Sequence, residues 1–183
     1  MIRNIIFDWS GTLVNDLPAV FETTNHVFRE SGLPEITLET FRDEFCLPFK
    51  SFYERYAAKI PLDQLERLFR TQFAKVHDTV TALPHAREFL EACDARGVRT
   101  CILSAVPGEH FIFQAKQTGL DRFLHKHYTG VMDKTELIRS IVAKNSFHPD
   151  ETIFIGDMQH DIETAHHGGI LSCAVLTGYN SLR

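Results

Sequence analysis

The 183-residue sequence has no long apolar run, no cluster of Lys or Arg, a single Trp and only four cysteines. A membrane span needs about 20 predominantly apolar residues. The N-terminal MIRNIIFDWSG turns polar after Phe7, so neither a span nor a signal peptide is expected there. A formal net charge of −5 works against binding a phosphate backbone, and nucleic acid is not an expected partner. Cys46, Cys93, Cys101 and Cys173 form no C-x-x-C pair. Cys101 and Cys173 lie inside apolar runs and read as buried thiols, which fits a reducing, cytoplasmic compartment. Ten histidines show no tight metal-ligand spacing, and there is no internal repeat or low-complexity tract. The remaining composition, 44% hydrophobic and 23% charged, is that of a globular domain.

Short apolar, β-branched runs occur at residues 5–7, 100–103, 152–155 and 173–176. Such nearly continuous runs suit parallel strands covered on both faces. Helical stripes alternate with them: Ala86, Phe89, Leu90 and Cys93, ended by Gly97, and then Leu137, Ile138, Ile141 and Val142, ended near Asn145 and Pro149. This alternation predicts a doubly wound, Rossmann-like α/β sheet. Residues 16–31, 37–45, 49–58 and 62–78 break the rhythm, because all four read as helix with no strand among them. The expected organisation is an α/β core from residues 1–14 and 84–183, with a small all-helical cap from 15–83 inserted after strand one.

Four short segments carry chemistry. Asp8-Trp9-Ser10-Gly11-Thr12 directly follows the first strand, and ligands of open parallel sheets bind beyond the carboxyl ends of the strands. A carboxylate there, followed by a Gly that permits a tight turn, can act as a nucleophile. Ser104 ends another strand, before the helix that Pro107 begins, and its hydroxyl suits a phosphate oxygen. Lys134 opens an amphipathic helix and can neutralise both a phosphoryl group and a carboxylate. Gly156-Asp157-Met158-Gln159-His160-Asp161 follows a third strand and offers two carboxylates four residues apart to one hard cation.

Asp-x-x-Gly-Thr, Ser after a strand, a later Lys and Gly-Asp-x-x-x-Asp, in this order, resemble the four motifs of the haloacid dehalogenase superfamily. The helical insertion resembles that of its phosphoglycolate phosphatase-like branch. The likeness implies a Mg²⁺-dependent phosphatase of small phosphorylated metabolites acting through an aspartyl-phosphate. Asp8 would be nucleophile and metal ligand, with the Ser10 carbonyl and Asp157 completing the protein's share of the Mg²⁺ shell. Ser104 and Lys134 would hold the phosphoryl group, Thr12 and Ala105 would line the substrate site, and Asp161 would support Lys134 or reach the metal through water.

Phosphatases of this superfamily carry an acid/base Asp two residues after the nucleophile, where this chain has Ser10. That departure leaves two alternatives open. One is a phosphonoacetaldehyde hydrolase-like enzyme, which resembles this chain in its Trp after the nucleophile and would use cap Lys50 as a Schiff-base former. The other is a non-catalytic phosphometabolite-binding protein. His160, beside Asp161, is a further candidate proton donor, and Tyr53, Arg55 and Tyr56 share a predicted helix with Lys50.

Overall fold

The computed structural model describes residues 1–124 and 126–181. Five strands form one parallel sheet: β1 (Asn4–Phe7), β4 (Arg99–Leu103), β5 (His127–Tyr128), β6 (Thr152–Gly156) and β7 (Leu171–Ala174), in the order β5-β4-β1-β6-β7. β1 lies at the centre and pairs with β4 and β6, so that Phe7 faces Ile102 on one side and Ile155 on the other. Side chains alternate across the sheet. Ile5 and Phe7 pack on Leu90 and Cys93 of α5 (Ala86–Ala95) and on Phe111 and Ala115 of α6 (Gly108–Thr118). Ile6 points the other way, to Ile138 and Ile141 of α7 (Ile138–Lys144) and Ala165 of α8 (Gln159–Gly168). With both faces covered, the strands can be apolar throughout, and each fully buried Leu or Ile contributes about 1.5–3 kcal/mol.

The chain leaves the sheet through β2 (Val14–Asn15) and returns through β3 (Thr81–Ala82), and the two pair antiparallel as a narrow neck. Between them lie α1 (Leu17–Glu30), α2 (Leu38–Glu44), α3 (Phe49–Tyr56) and α4 (Leu62–Phe73). These helices have their own core of Val27, Phe28, Phe41, Phe52 and Leu65. Two residues from outside the insertion, Met158 and Tyr179, join that core.

Three readings of the sequence need correction. The last strand spans Leu171–Ala174 rather than 173–176, and as an edge strand it is paired only with β6. Cys173 is therefore exposed, not a buried thiol, whereas Cys101 in the inner strand β4 is buried, and burial pushes its thiol up to about 12. The fourth helix of the insertion stops at Phe73 rather than continuing to 78. A 3₁₀ turn at His77–Thr79 then redirects the chain so that Val80 enters the sheet-side core. The two-residue strands β2, β3 and β5 are too short to leave a period in the sequence.

Candidate active site

Asp8, Ser104 and Asp157 each follow a different strand, β1, β4 and β6, and the sheet order brings them to one edge. The Asp8 N–H donates to the Ile155 carbonyl at 2.9 Å, extending the ladder one step and fixing where the carboxylate emerges. Trp9 turns inward, its indole N–H donating to Gln114 Oε1 at 2.7 Å and its ring edge-on to Phe111. Gly11 has φ +71°, and a Cβ there would come within 2.5 Å of Asp157 Oδ2. Gly178 packs beside Gly11 against the same oxygen, so neither position has room for a side chain.

Lys134 is fully buried, with Nζ 2.7 Å from Asp8 Oδ1 and 2.7 Å from Asp161 Oδ1. It sits in a 3₁₀ turn, Lys134–Glu136, entered through Asp133, whose carboxylate accepts from the Thr135 N–H at 3.0 Å. Asp161 lies in the first turn of α8 and its Oδ2 accepts from the Met158 N–H at 3.0 Å, so both of its oxygens are engaged. Asp157 accepts from the Tyr179 N–H and, at 3.3 Å, from the Thr12 hydroxyl. Ser104 is buried, its Oγ accepting from the Val106 N–H at 3.3 Å ahead of α6.

The charges do not balance. Three buried carboxylates, Asp8, Asp157 and Asp161, bring ligand oxygens within 4.8 Å of one another around one ammonium. Burial raises the pKa of Asp8, against the attraction of Lys134, and raises that of Asp157 with help from the neighbouring Asp8 and Asp161. Burial also opposes the Lys134 ammonium, but Asp161 and Asp8 outweigh it and hold the group above its ordinary value. The excess negative charge and the all-oxygen donor set fit a hard divalent cation such as Mg²⁺, which takes one or two carboxylates plus waters and substrate oxygens. Asp8 and Asp157 are the natural direct ligands, because Asp161 is committed to Lys134 and a backbone N–H.

A cavity of about 340 Å³ opens in front of Asp8. Its floor includes Asp8, Ser10, Asp16, Ser104 and Ala105, and its roof comes from α1, α3 and α4 and the loop between α2 and α3.

The family model for haloacid dehalogenase-like hydrolases matches residues 5–175. The chain belongs to the haloacid dehalogenase-like hydrolases. It is 26% identical to pyrophosphatase PpaX of Oceanobacillus iheyensis over 95% of this chain and 83% of that protein. It is also 26% identical to the phosphoglycolate phosphatase of Synechococcus elongatus, over 98% and 86%. A predicted phosphatase from Clostridium acetobutylicum superposes with a TM-score of 0.87 at 16% identity, covering 99% of this chain and 88% of the other. A haloacid dehalogenase-like hydrolase from Bacteroides fragilis gives 0.82 at 20%, covering 99% and 90%.

In this hydrolase the geometry gathers Asp8, Ser10, Thr12, Ser104, Ala105, Lys134, Asp157 and Asp161 around one edge of the sheet. Lys50 is not among them. It projects into solvent from α3, 3.5 Å from Glu54, while its neighbours Phe49 and Tyr53 line the cavity. Arg55 pairs with Glu44, and Tyr56 stacks near Phe28 inside the insertion. His160 accepts the Lys134 backbone N–H on Nε2 at 3.1 Å. Burial, then the Lys134 charge, lowers its pKa, so it is neutral with that nitrogen already used and is not placed as a proton donor. Among the described residues no helix is long and apolar enough to cross a membrane.

Two residues had no signal in the sequence. Asp16 directly precedes α1 and reads as an ordinary N-cap, yet its side chain makes no capping bond. It is buried, lines the cavity together with Ser10, and accepts from the Tyr179 hydroxyl at 3.1 Å. Burial, partly offset by the nearby Ser10 and Tyr179 hydroxyls, pushes its carboxyl up to about 6, with the Asp8 charge adding to the rise. Tyr179 follows the last strand. Its ring lies 5.3 Å from Phe45, and the neighbouring Asn180 donates to the Arg42 and Phe45 carbonyls and accepts from the Gln159 N–H. The segment after β7 thus ties α2 to the start of α8.

Proposed function

We propose that this chain is a Mg²⁺-dependent phosphomonoester hydrolase of small phosphorylated metabolites, with Asp8 as covalent nucleophile. The observation that carries the reading is Asp8 Oδ1 held at 2.7 Å by a buried Lys134 that Asp161 locks in place, with Asp157 alongside. Lys134 takes one oxygen of Asp8 and leaves the other to attack phosphorus in line. The bond from phosphorus to the ester oxygen breaks as the bond to Asp8 forms, giving an aspartyl-phosphate. Ser104 and Lys134 bear on the phosphoryl oxygens, where most of the work of phosphoryl transfer lies. Bound between Asp8, Asp157 and the Ser10 carbonyl, Mg²⁺ would supply charge neutralisation for the same oxygens.

The proton has a route despite Ser10. Asp16 faces the cavity with its carboxyl raised toward neutrality, and Ser10 lines the same floor beside it. Protonated Asp16, acting through or beside Ser10, delivers a proton to the departing oxygen. As a carboxylate it then takes one from the water that splits the aspartyl-phosphate and releases phosphate. The helical insertion roofs the cavity and keeps bulk water from the intermediate.

Asp8→Asn with Mg²⁺ present is expected to abolish phosphate release from p-nitrophenyl phosphate and to eliminate a hydroxylamine-labile phosphate label on the wild-type protein. EDTA should stop wild-type turnover reversibly. Substantial turnover by Asp8→Asn would refute the nucleophile assignment.

A further inference from the structure

The roof of the cavity differs in chemistry from its floor. Phe45, Leu47, Phe49, Phe69 and Phe73 line the roof, and Met132 lines the cavity beside them. The charged side chains beyond Asp8 and Asp16 are Glu66 and Arg70, one turn apart on α4, so that helix brings no net positive charge to the cavity. Arg70 is solvent-exposed, which screens what remains of its field. His110 also lines the cavity, and burial lowers its pKa below the ordinary value, so it adds no fixed positive charge at neutral pH. A second anionic group on the substrate would therefore leave water for aromatic rings and carboxylates, with the exposed Arg70 as the one permanent cation among the described residues of the lining.

Size points the same way. An apolar cavity of about 150 Å³ accommodates a benzene ring. The roughly 340 Å³ here holds a phosphoryl group at the floor and an apolar group of ring size above it.

Building on the phosphomonoesterase reading, we propose that the preferred substrate is a monophosphate ester whose alcohol part is a compact apolar group, aromatic or branched. Phe45, Phe49, Phe69 and Phe73 enclose that group. Esters bearing a second carboxylate or phosphate are discriminated against by the same wall.

A matched pair isolates this from leaving-group acidity. Benzyl phosphate and phosphoglycolate both release a primary alcohol and differ in carrying a phenyl ring or a carboxylate. With Mg²⁺ the kcat/KM for benzyl phosphate is expected to exceed that for phosphoglycolate, and that for pyrophosphate, by about 10- to 100-fold, the effect of burying a ring-sized side group. Benzylphosphonate and phosphonoacetate repeat the comparison without turnover, and calorimetric titration should rank their affinities in the same order. Phe49→Lys, which puts a cation into the wall, should erase or invert the preference, and the milder Phe49→Ala should reduce it several-fold. Equal or tighter binding of phosphonoacetate by the wild type overturns the proposal. Absence of phosphate release from every ester, with benzylphosphonate still bound more tightly, would refute the phosphatase reading but sustain the apolar-group assignment.

Discussion

The sheet edge and the helical insertion meet at one cavity but are built by opposite rules. At the edge, ionised groups are buried and each is held by specific partners: Lys134 donates to two carboxylates, Asp161 accepts from Lys134 and a backbone N–H, and Asp157 accepts from Thr12 and Tyr179. In the insertion, the surface turned to the cavity is mostly rings and aliphatic chains, and the basic residues Lys50 and Arg55 point into solvent pairs with Glu54 and Glu44. Polar groups in low dielectric give large, geometry-dependent effects, whereas apolar contacts give smaller, graded ones. The edge is thus suited to making one reaction possible, and the insertion to choosing among molecules that could undergo it.

The difference can be broken most severely at Lys134. Lys134→Ala leaves Asp8 and Asp161 buried without their counter-charge, and removing one partner of a buried ion pair costs about 3–5 kcal/mol. Phosphatase activity should fall to background, and a urea denaturation curve should show a loss of that order. Lys134→Met, which keeps the packing, should be as inactive as Lys134→Ala while recovering part of the stability.

Asp16 stands at the junction and sharpens the comparison, since under the proposed mechanism the same carboxyl affects rate and stability in opposite directions. Asp16→Asn should lower turnover of alkyl phosphates by about 10²–10⁴-fold, and p-nitrophenyl phosphate, whose leaving group needs little protonation, much less. The folded pKa of about 6 lies above the ordinary 3.8, so the folded state holds a proton that the unfolded chain has lost. That stabilisation is complete below about pH 4 and is lost as pH rises through 6. The neutral Asn should therefore be more stable than wild type at pH 7–8, by on the order of 3 kcal/mol, with the advantage vanishing near pH 4. A variant that is no more stable at pH 8 than at pH 4, relative to wild type, would contradict the raised pKa.

A smaller effect is expected at Gly178. The side chain of Gly178→Ala collides with Asp157 Oδ2, and loss of placement around a metal ligand typically costs about 10- to 100-fold in affinity. The Mg²⁺ concentration for half-maximal activity should rise accordingly. Smallest of all is Lys50→Ala. An exposed side chain paired with Glu54 should shift stability by less than about 0.5 kcal/mol, with kcat/KM on any phosphoester unchanged within twofold.

Legibility in the sequence followed the same division. Parallel strands buried on both faces leave unbroken apolar runs, so β1, β4 and β6 were readable, and the residues following them had to fall on one edge. Asp8, Ser104 and Asp157 could be placed that way. Lys134 lies on no strand end, yet the order of the motifs put it with them, although its complete burial had no sequence signature. β5 and the β2–β3 neck are two residues each, below the length at which alternation can be recognised. Asp16 and Tyr179 stayed hidden because their roles arise from a tertiary contact between residues 163 positions apart. An Asp before a helix and a Tyr beyond the last strand each have a commonplace reading. Lys50 shows the converse, since its position along a helix was visible while the direction in which it projects was not.

The segment Gly178–Ser181 sets an order on how the enzyme comes into being. During translation Asp8 leaves the ribosome early, and Ser104, Lys134, Asp157 and Asp161 follow with the rest of the sheet. Until residue 179 emerges, Asp157 has no backbone donor from beyond β7, Asp16 has no phenol to hold it, and the aromatic face of Phe41 and Phe45 lacks its last ring. A nascent chain stalled after α8 would carry every ionised group of the sheet edge without the clamp that orients them. The stretch after β7 therefore acts as the closing step of this edge, because it reaches back to Asp16 and Asp157 once the sheet that carries them has formed.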